Sequence, residues 1–339
     1  MQRIVFASMH RDSGKTSLLL GYALEKGGAG YMKPLGDRPH YKKKRLWDSD
    51  ASLMARVLEL DTDPEMITLG FDHSKLRYSH PGEALEKRLL EAAEAAKAGK
   101  ELLLVEAGAD LAFGASLGLD PVSLARLLQA RLYVVLAGDP EVMVDDAHFL
   151  ARRSFSREGG FGGLILNRVS EPEEFARHHL PLIEAAGLPV AGIVPREGSV
   201  CALTLAYLED ELFVKPITGR AGAETVVDGV FSGVVSATAA RKSPAFHSRN
   251  KLVVTEVDRT DLIVAALETG AAGIVLSGEG PPDGSVIALA REKDVPMLLT
   301  SVGMIEISRQ IEALRPLPSY RDTGRQEKLK RLVGDHLSM

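Results

Sequence analysis

Arg3-Ile-Val-Phe-Ala-Ser-Met-His-Arg-Asp-Ser-Gly-Lys-Thr-Ser-Leu-Leu-Leu20 is the stretch around which the rest of the chain is read. Ile4 to Ala7 is a short apolar run and reads as a buried strand. A polar loop follows, and Gly14-Lys15-Thr16-Ser17 then opens an apolar helix. That order of strand, loop and helix is what turns a Gly-Lys-Thr string into a phosphate-binding loop. Backbone N–H groups of such a loop point inward at a helix start, where the helix dipole also favours an anion. Lys15 would reach the β- and γ-phosphates, and the Thr16 hydroxyl would sit on Mg²⁺. The pattern is irregular, because Met9 stands where a glycine is usual and the nearest small residue is Ser8. The plainer alternative is a surface helix start capped by Ser13, with Lys15 in water. The strand before the loop and the apolar helix after it favour the phosphate loop.

Outward from this stretch the chain alternates between strand and helix patterns. The first helix runs on through Leu18 to Leu24 and stops at Gly27-Gly28. Gly30 to Gly36 is a short strand carrying Lys33-Pro34, and residues 36 to 48 are polar and basic, including Lys42-Lys43-Lys44-Arg45. Such a charge run reads as a solvated loop. Asp48-Ser-Asp50 precedes a helix over Ala51 to Leu60, and either aspartate would serve as its N-cap. Residues 61 to 81 look irregular; Pro81 to Lys100 is an Ala/Glu/Leu-rich helix. Glu101 to Gly108 is a buried strand that brings Glu106 to its end. In an open parallel sheet ligands gather at the carboxyl ends of the strands, so Glu106 falls on the same edge as the loop. A carboxylate there is a natural Mg²⁺ ligand; the bland alternative is a strand-end glutamate facing water.

Further on, Ala130–Ala137, Gly162–Arg168 and Leu188–Val194 read as strands, the last two ending at Asn167-Arg168 and Pro195-Arg196. Pro140–Arg153 and Glu171–Ala186 read as helices. Repeated βα units argue for a parallel sheet covered on both faces. Residues 198 to 250 suggest one helix near Val200 to Leu208, then Gly-rich, β-branched sequence. From Leu252 a smaller βα rhythm returns with strands at 252–255, 273–277 and 296–300, and Arg315-Pro-Leu-Pro318 closes it. The fold class expected is therefore α/β: a P-loop NTPase-type parallel sheet at 1–197, a smaller α/β domain at 198–318, and a charged tail at 319–339. Three strands are few for an independent sheet, so residues 198 to 250 should join the second domain, which should also carry a homodimer contact.

Composition agrees with a two-domain reading, at 339 residues with 45% apolar and 26% charged content. A net charge of −5 gives no electrostatic reason to expect nucleic acid. No apolar stretch approaches the ~20 residues of a membrane helix, and Ile4 to Ala7 is too short for an export signal core. Cys201 is the sole cysteine, which rules out an internal disulfide or a cysteine metal cage. A cytoplasmic location is expected.

Gly14-Lys15-Thr16, Lys33-Pro34, Ser49-Asp50-Ala51, Val105-Glu106 and Asn167, in that order, resemble dethiobiotin synthetase. The closer resemblance, over about residues 1 to 197, is to the dethiobiotin-synthetase-like N-terminal domain of some phosphotransacetylases. Asp258-Arg259-Thr260-Asp261 and the turn at Gly278 resemble the DRTGG domain that follows in those proteins. The resemblance implies ATP and Mg²⁺ as cofactors. It implies Lys15 and Lys33 as the groups nearest the reacting phosphate, and Thr16, Asp50 and Glu106 as metal ligands. Ser13, Gly14, Lys15, Thr16, Ser17, Asn167 and Pro195 become nucleotide contacts, with Asn167 on the adenine edge. An amide can both donate to and accept from adenine. The phosphotransacetylase catalytic domain would lie beyond this chain, so acetyl transfer is not expected. The chain departs from the pattern at Ser8, at Ala107-Gly-Ala-Asp110, at the basic run 42–45 and at Val302-Gly-Met304, so no substrate residues are carried over.

Two functions of different class follow. One is a nucleotide-dependent regulatory or scaffold protein. The other is an ATP-dependent ligase acting on a small carboxylate or carbamate, for which Lys33 beside acidic metal ligands speaks. A partition-type ATPase working on a surface lacks the amphipathic basic helix it would need.

Overall fold

Ile4, Val5, Phe6 and Ala7 have no exposed surface, and the strand they form is the centre of a six-stranded sheet. The computed structural model describes residues 2–42, 45–97, 99–153, 155, 159–219, 225–233, 235–314 and 316–339. The chain divides into two units, Met1–Glu197 with Gly324–Met339, and Gly198–Thr323.

The strands of the first unit are β1 (Gln2–Ser8), β2 (Ala29–Met32), β3 (Pro39–Lys42), β4 (Arg45–Asp48), β5 (Leu102–Glu106), β6 (Arg131–Ala137), β7 (Phe161–Val169) and β8 (Val190–Pro195). Six of them form one sheet in the order β2-β5-β1-β6-β7-β8, with every pair parallel. Leu103 to Val105, Val134 to Leu136 and Leu164 to Leu166 are wholly buried, as continuous apolar strands covered on both faces should be. The chain leaves β1 for β2 on one side and later crosses to β6 on the other. The carboxyl end of β1 therefore lies where the strand order reverses, the place where such sheets bind ligands.

Helix α1 (Lys15–Lys26) follows β1 directly. Its N-cap is Gly14 at φ 87°, Leu18, Leu19 and Leu20 face the core, and Gly27 at φ 66° ends it. The charged tail is a helix as well. Thr323–His336 buries Leu329 and Val333, and Gly21 of α1 makes room for it. A Cβ at Gly21 would meet Val333 Cγ2 at 2.5 Å. The chain then runs along the sheet edge, where the Ser338 N–H donates to the Ala191 carbonyl (2.9 Å) and Leu337 bridges Gly192 of β8. An otherwise open strand edge is covered in this way.

Three local expectations are corrected. Residues 36–48 are not a loop: β3 and β4 pair antiparallel from Pro39↔Asp48 to Lys42↔Arg45. The backbone ladder outweighs the charge run, whose Lys43 and Lys44 lie outside the described residues. The helix expected over 171–186 breaks at His179 into Pro172–His178 and Leu180–Glu184. Pro181 cannot donate and disfavours continuity there. Residues 61–81 contain two short helices, Pro64–Ile67 and His73–Ser79, started by the side chains of Asp63 and Asp72.

In the second unit, β9 (Leu203–Thr204) pairs antiparallel with β11 (Val226–Val227), and β10 (Lys215–Thr218) lies between them in sequence. A five-stranded sheet joins β10 to β12 (Gly229–Ser232), β13 (Lys251–Glu256), β14 (Ala271–Ser277) and β15 (Met297–Thr300), in the order β10-β15-β14-β13-β12. Only β10 runs antiparallel. Segment 198–250 thus supplies two strands of the sheet. The helix expected at 200–208 begins later, at Leu205, where the Thr204 hydroxyl caps it. Helices Thr260–Glu268 and Gly284–Glu292 cover one face through Leu262, Ile263, Val286 and Ala290. Helices Leu205–Glu211 and Met304–Ala313 cover the other through Leu208, Ile307 and Ile311. Arg315 lies outside the described residues.

Candidate phosphate-binding site

The loop from Ser8 to Gly14 is fastened on several sides. Ser8 is fully buried, donates to the Ala109 carbonyl and accepts from Lys15 Nζ at 3.1 Å. The Met9 N–H donates to the Val135 carbonyl, and the His10 ring sits 2.9 Å from Asp146. The Ser13 hydroxyl donates to the His10 carbonyl, and that of Ser17 to the Gly14 carbonyl. Gly14 has no alternative: its φ is left-handed, and a Cβ would stand 2.4 Å from Asn167 Nδ2.

Glu106 ends β5 opposite Phe6 of β1 and is 1% exposed. It accepts from the Thr16 hydroxyl at 2.7 Å and from the Tyr31 hydroxyl at 2.8 Å. Burial raises its pKa to about 7, with Asp50 adding to the rise and Lys33 and Lys15 opposing it. Tyr31 is held well above the usual phenol range by burial and by Glu106.

Beyond β2, Lys33 is sealed from water among carboxylates. Its Nζ lies 2.7 Å from Asp50 and 3.1 Å from Asp48, and it is also paired with Asp37. Burial works against the lysine charge, but Asp50 and Asp48 more than reverse it, and the pKa stands well above normal. Asp48 is the N-cap of the helix Ser49–Val57 and also accepts from the N–H groups of Asp37 and Arg38. Burial raises its pKa. Burial would raise that of Asp50 too, yet Lys33 and Arg38 bring it below normal. Lys15 is different, because burial dominates and lowers its pKa.

The structure therefore brings Lys15, Thr16 and Glu106 together, sets the Lys33–Asp50 pair within electrostatic reach of them, and places Asn167 on the loop. Asn167 donates its amide N–H to the Ser13 carbonyl at 2.8 Å. Pro195 ends β8 in register with Val169, one strand over from Asn167. For Mg²⁺ the fit is uneven. Thr16 and Glu106 offer adjacent hard oxygens, as the ion prefers. The Asp50 oxygens are already engaged, one by Lys33 and one by Arg38. Among the described residues no three His, Cys, Asp or Glu side chains are grouped as a complete metal cage. This is compatible with an ion that keeps most of its waters and takes phosphate oxygens. Sequence reasoning missed Tyr31, Asp37, Arg38 and Arg168. A tyrosine in an otherwise apolar strand, two residues before Lys33, was the only visible signal.

The AAA domain family matches residues 2–203, and the DRTGG domain matches residues 217–314. A phosphate acetyltransferase of Pseudomonas putida is 25% identical over 363 residues, covering 99% of this chain and 51% of that protein. One from Deinococcus radiodurans is 24% identical over 359 residues, covering 99% and 50%. The chain spans about half the length of the curated relatives it matches. Among solved structures, the MinD cell division protein of Aquifex aeolicus covers 62% of this chain at a TM-score of 0.35 and 18% identity, with 85% of its own chain matched.

Proposed function

Since the chain belongs to the AAA domain family and carries a DRTGG domain behind it, we propose that it is a nucleotide-dependent regulatory or scaffold protein related to the N-terminal region of long phosphate acetyltransferases. ATP occupies the phosphate loop, with Lys15 on the β- and γ-phosphates and Gly14, Ser13 and Ser17 shaping the helix start around them. Thr16 and Glu106, with Asp50 nearby, would be the residues to hold Mg²⁺. Asn167 and Pro195 border the base. The observation that carries this reading is the convergence of Lys15, Thr16 and Glu106 at one sheet edge, where a lysine, a hydroxyl and a buried carboxylate lie in one connected cluster. Bound Mg²⁺ would neutralise phosphate charge. The chain's own contribution is to orient the phosphates and keep water from the cluster.

Regulation is favoured over ligation by Lys33. A lysine 1% exposed and ringed by Asp37, Asp48 and Asp50 is committed to them and is not presented to a second substrate. The chain associates as a homodimer in this reading and works in the cytoplasm. The test is calorimetry with Mg²⁺–ATP followed by steady-state turnover. Tight binding with slow hydrolysis, unmoved by small carboxylates or carbamates, is expected. Hydrolysis that rises steeply with one of those compounds would overturn the regulatory reading in favour of a ligase.

A further inference from the structure

We propose that Arg168 is a positioning residue that holds the phosphate loop with its N–H groups facing the anion; this rests on reading that loop as the nucleotide site. The register of β7 against β8 shifts between Asn167 and Val169, so Arg168 is the extra residue of a bulge. Its φ is +59°, a left-handed conformation that a bulge normally gives to glycine. Nothing in the backbone asks for arginine here. The side chain supplies the reason, since Nη1 donates to the Asp12 carbonyl at 2.8 Å. Its neighbour Asn167 donates to the next carbonyl, that of Ser13.

Two consecutive loop carbonyls are therefore fastened to two consecutive residues of one bulge. In a trans peptide the C=O and the N–H of the same unit point in opposite directions. Holding the Asp12 and Ser13 oxygens toward the end of β7 turns the Ser13 and Gly14 N–H groups the other way. Asp12 is itself left-handed at φ +59° and Gly14 at +87°, and successive N–H groups in such a backbone make an anion-binding concavity. Strained residues persist when their surroundings over-determine them, and they gather at functional sites. Arg168 and Asp12 are two such residues joined by one hydrogen bond across 156 positions of sequence. The loop lacks a glycine at Met9, and this bond from outside does part of the shaping.

Arg168→Gly separates positioning from simple support, because glycine relaxes the left-handed backbone while deleting the hydrogen bond. In the full-length chain its thermal midpoint should equal or exceed that of the parent. Amide hydrogen exchange across residues 12–16 without ligand should accelerate by about tenfold, and Mg²⁺–ATP affinity should fall by about tenfold, as for one lost charge-assisted hydrogen bond. Arg168→Lys, which keeps a donor, should recover most of both. Unchanged exchange in Arg168→Gly overturns the proposal, and so does affinity within twofold of the parent. If the parent chain itself fails to bind Mg²⁺–ATP while exchange accelerates, the positioning role stands and the nucleotide reading falls.

Discussion

Lys15 and Lys33 are both buried, and burial treats them in opposite ways. Lys33 is over-neutralised by carboxylates, whereas Lys15 has Ser8 as its close partner and a lowered pKa. Lys33→Ala should strip the cation from a buried acidic group and destabilise the fold by about 3–5 kcal/mol near neutral pH. Urea unfolding should show that loss shrinking in acid, as the carboxylates protonate. Lys15→Ala should change stability by about 1 kcal/mol or less yet abolish tight Mg²⁺–ATP binding, because its charge serves the ligand. Unchanged affinity by calorimetry would remove the phosphate-loop reading. Glu106 gives a pH test with a definite sign. Its folded pKa of about 7 is above its ordinary 4.5, so its protonated form stabilises the fold. That contribution is complete below about pH 4.5 and is lost as pH rises through 7. Glu106→Gln should match the parent at pH 4 and exceed it by roughly 3 kcal/mol at pH 8, at about 1.4 kcal/mol per pKa unit. The same variant should weaken Mg²⁺-dependent binding more than binding of nucleotide alone. Equal stabilities at pH 8, or loss of Mg²⁺-free binding to the same extent, would contradict the role given to this carboxylate.

Among the elements, α1 carries two constraints at once: its first turn makes the site, and its middle receives the C-terminal helix. Gly21 is the contact point, since a side chain there would strike Val333 Cγ2 and the Leu329 carbonyl. Alanine is the better helix former by about 1 kcal/mol, yet overpacking costs about 1–3 kcal/mol. Gly21→Ala should therefore lower stability in urea by about 1 kcal/mol, and adding Val333→Ala should cost less than the two single changes summed. Strict additivity would mean that the helices do not meet there. Apolar periodicity located α1, the parallel strands of the first unit and β13, β14 and β15 of the second, because most of their residues are buried. It missed β3, β4, β10 and β12, which are short, carry polar residues, and take their stability from the strand beside them.

At the scale of the molecule, the homodimer is tested by the mass of the full chain in analytical ultracentrifugation at tens of micromolar. A mass near twice 36.5 kDa is expected, and a monomer at all concentrations would end that proposal. The order of βα units, the phosphate loop and the acidic residue ending β5 were all legible in sequence. Each is written locally: burial on both faces makes a strand continuously apolar, and the Gly-Lys-Thr string stands between its own strand and its own helix. Tertiary structure alone decided that Lys33 faces three aspartates, that Tyr31 meets Glu106, and that the final helix returns to the first unit. It also decided that Arg168 reaches the loop. Those contacts join residues far apart in sequence, and a burial pattern records only that a side chain is covered, not which partner covers it.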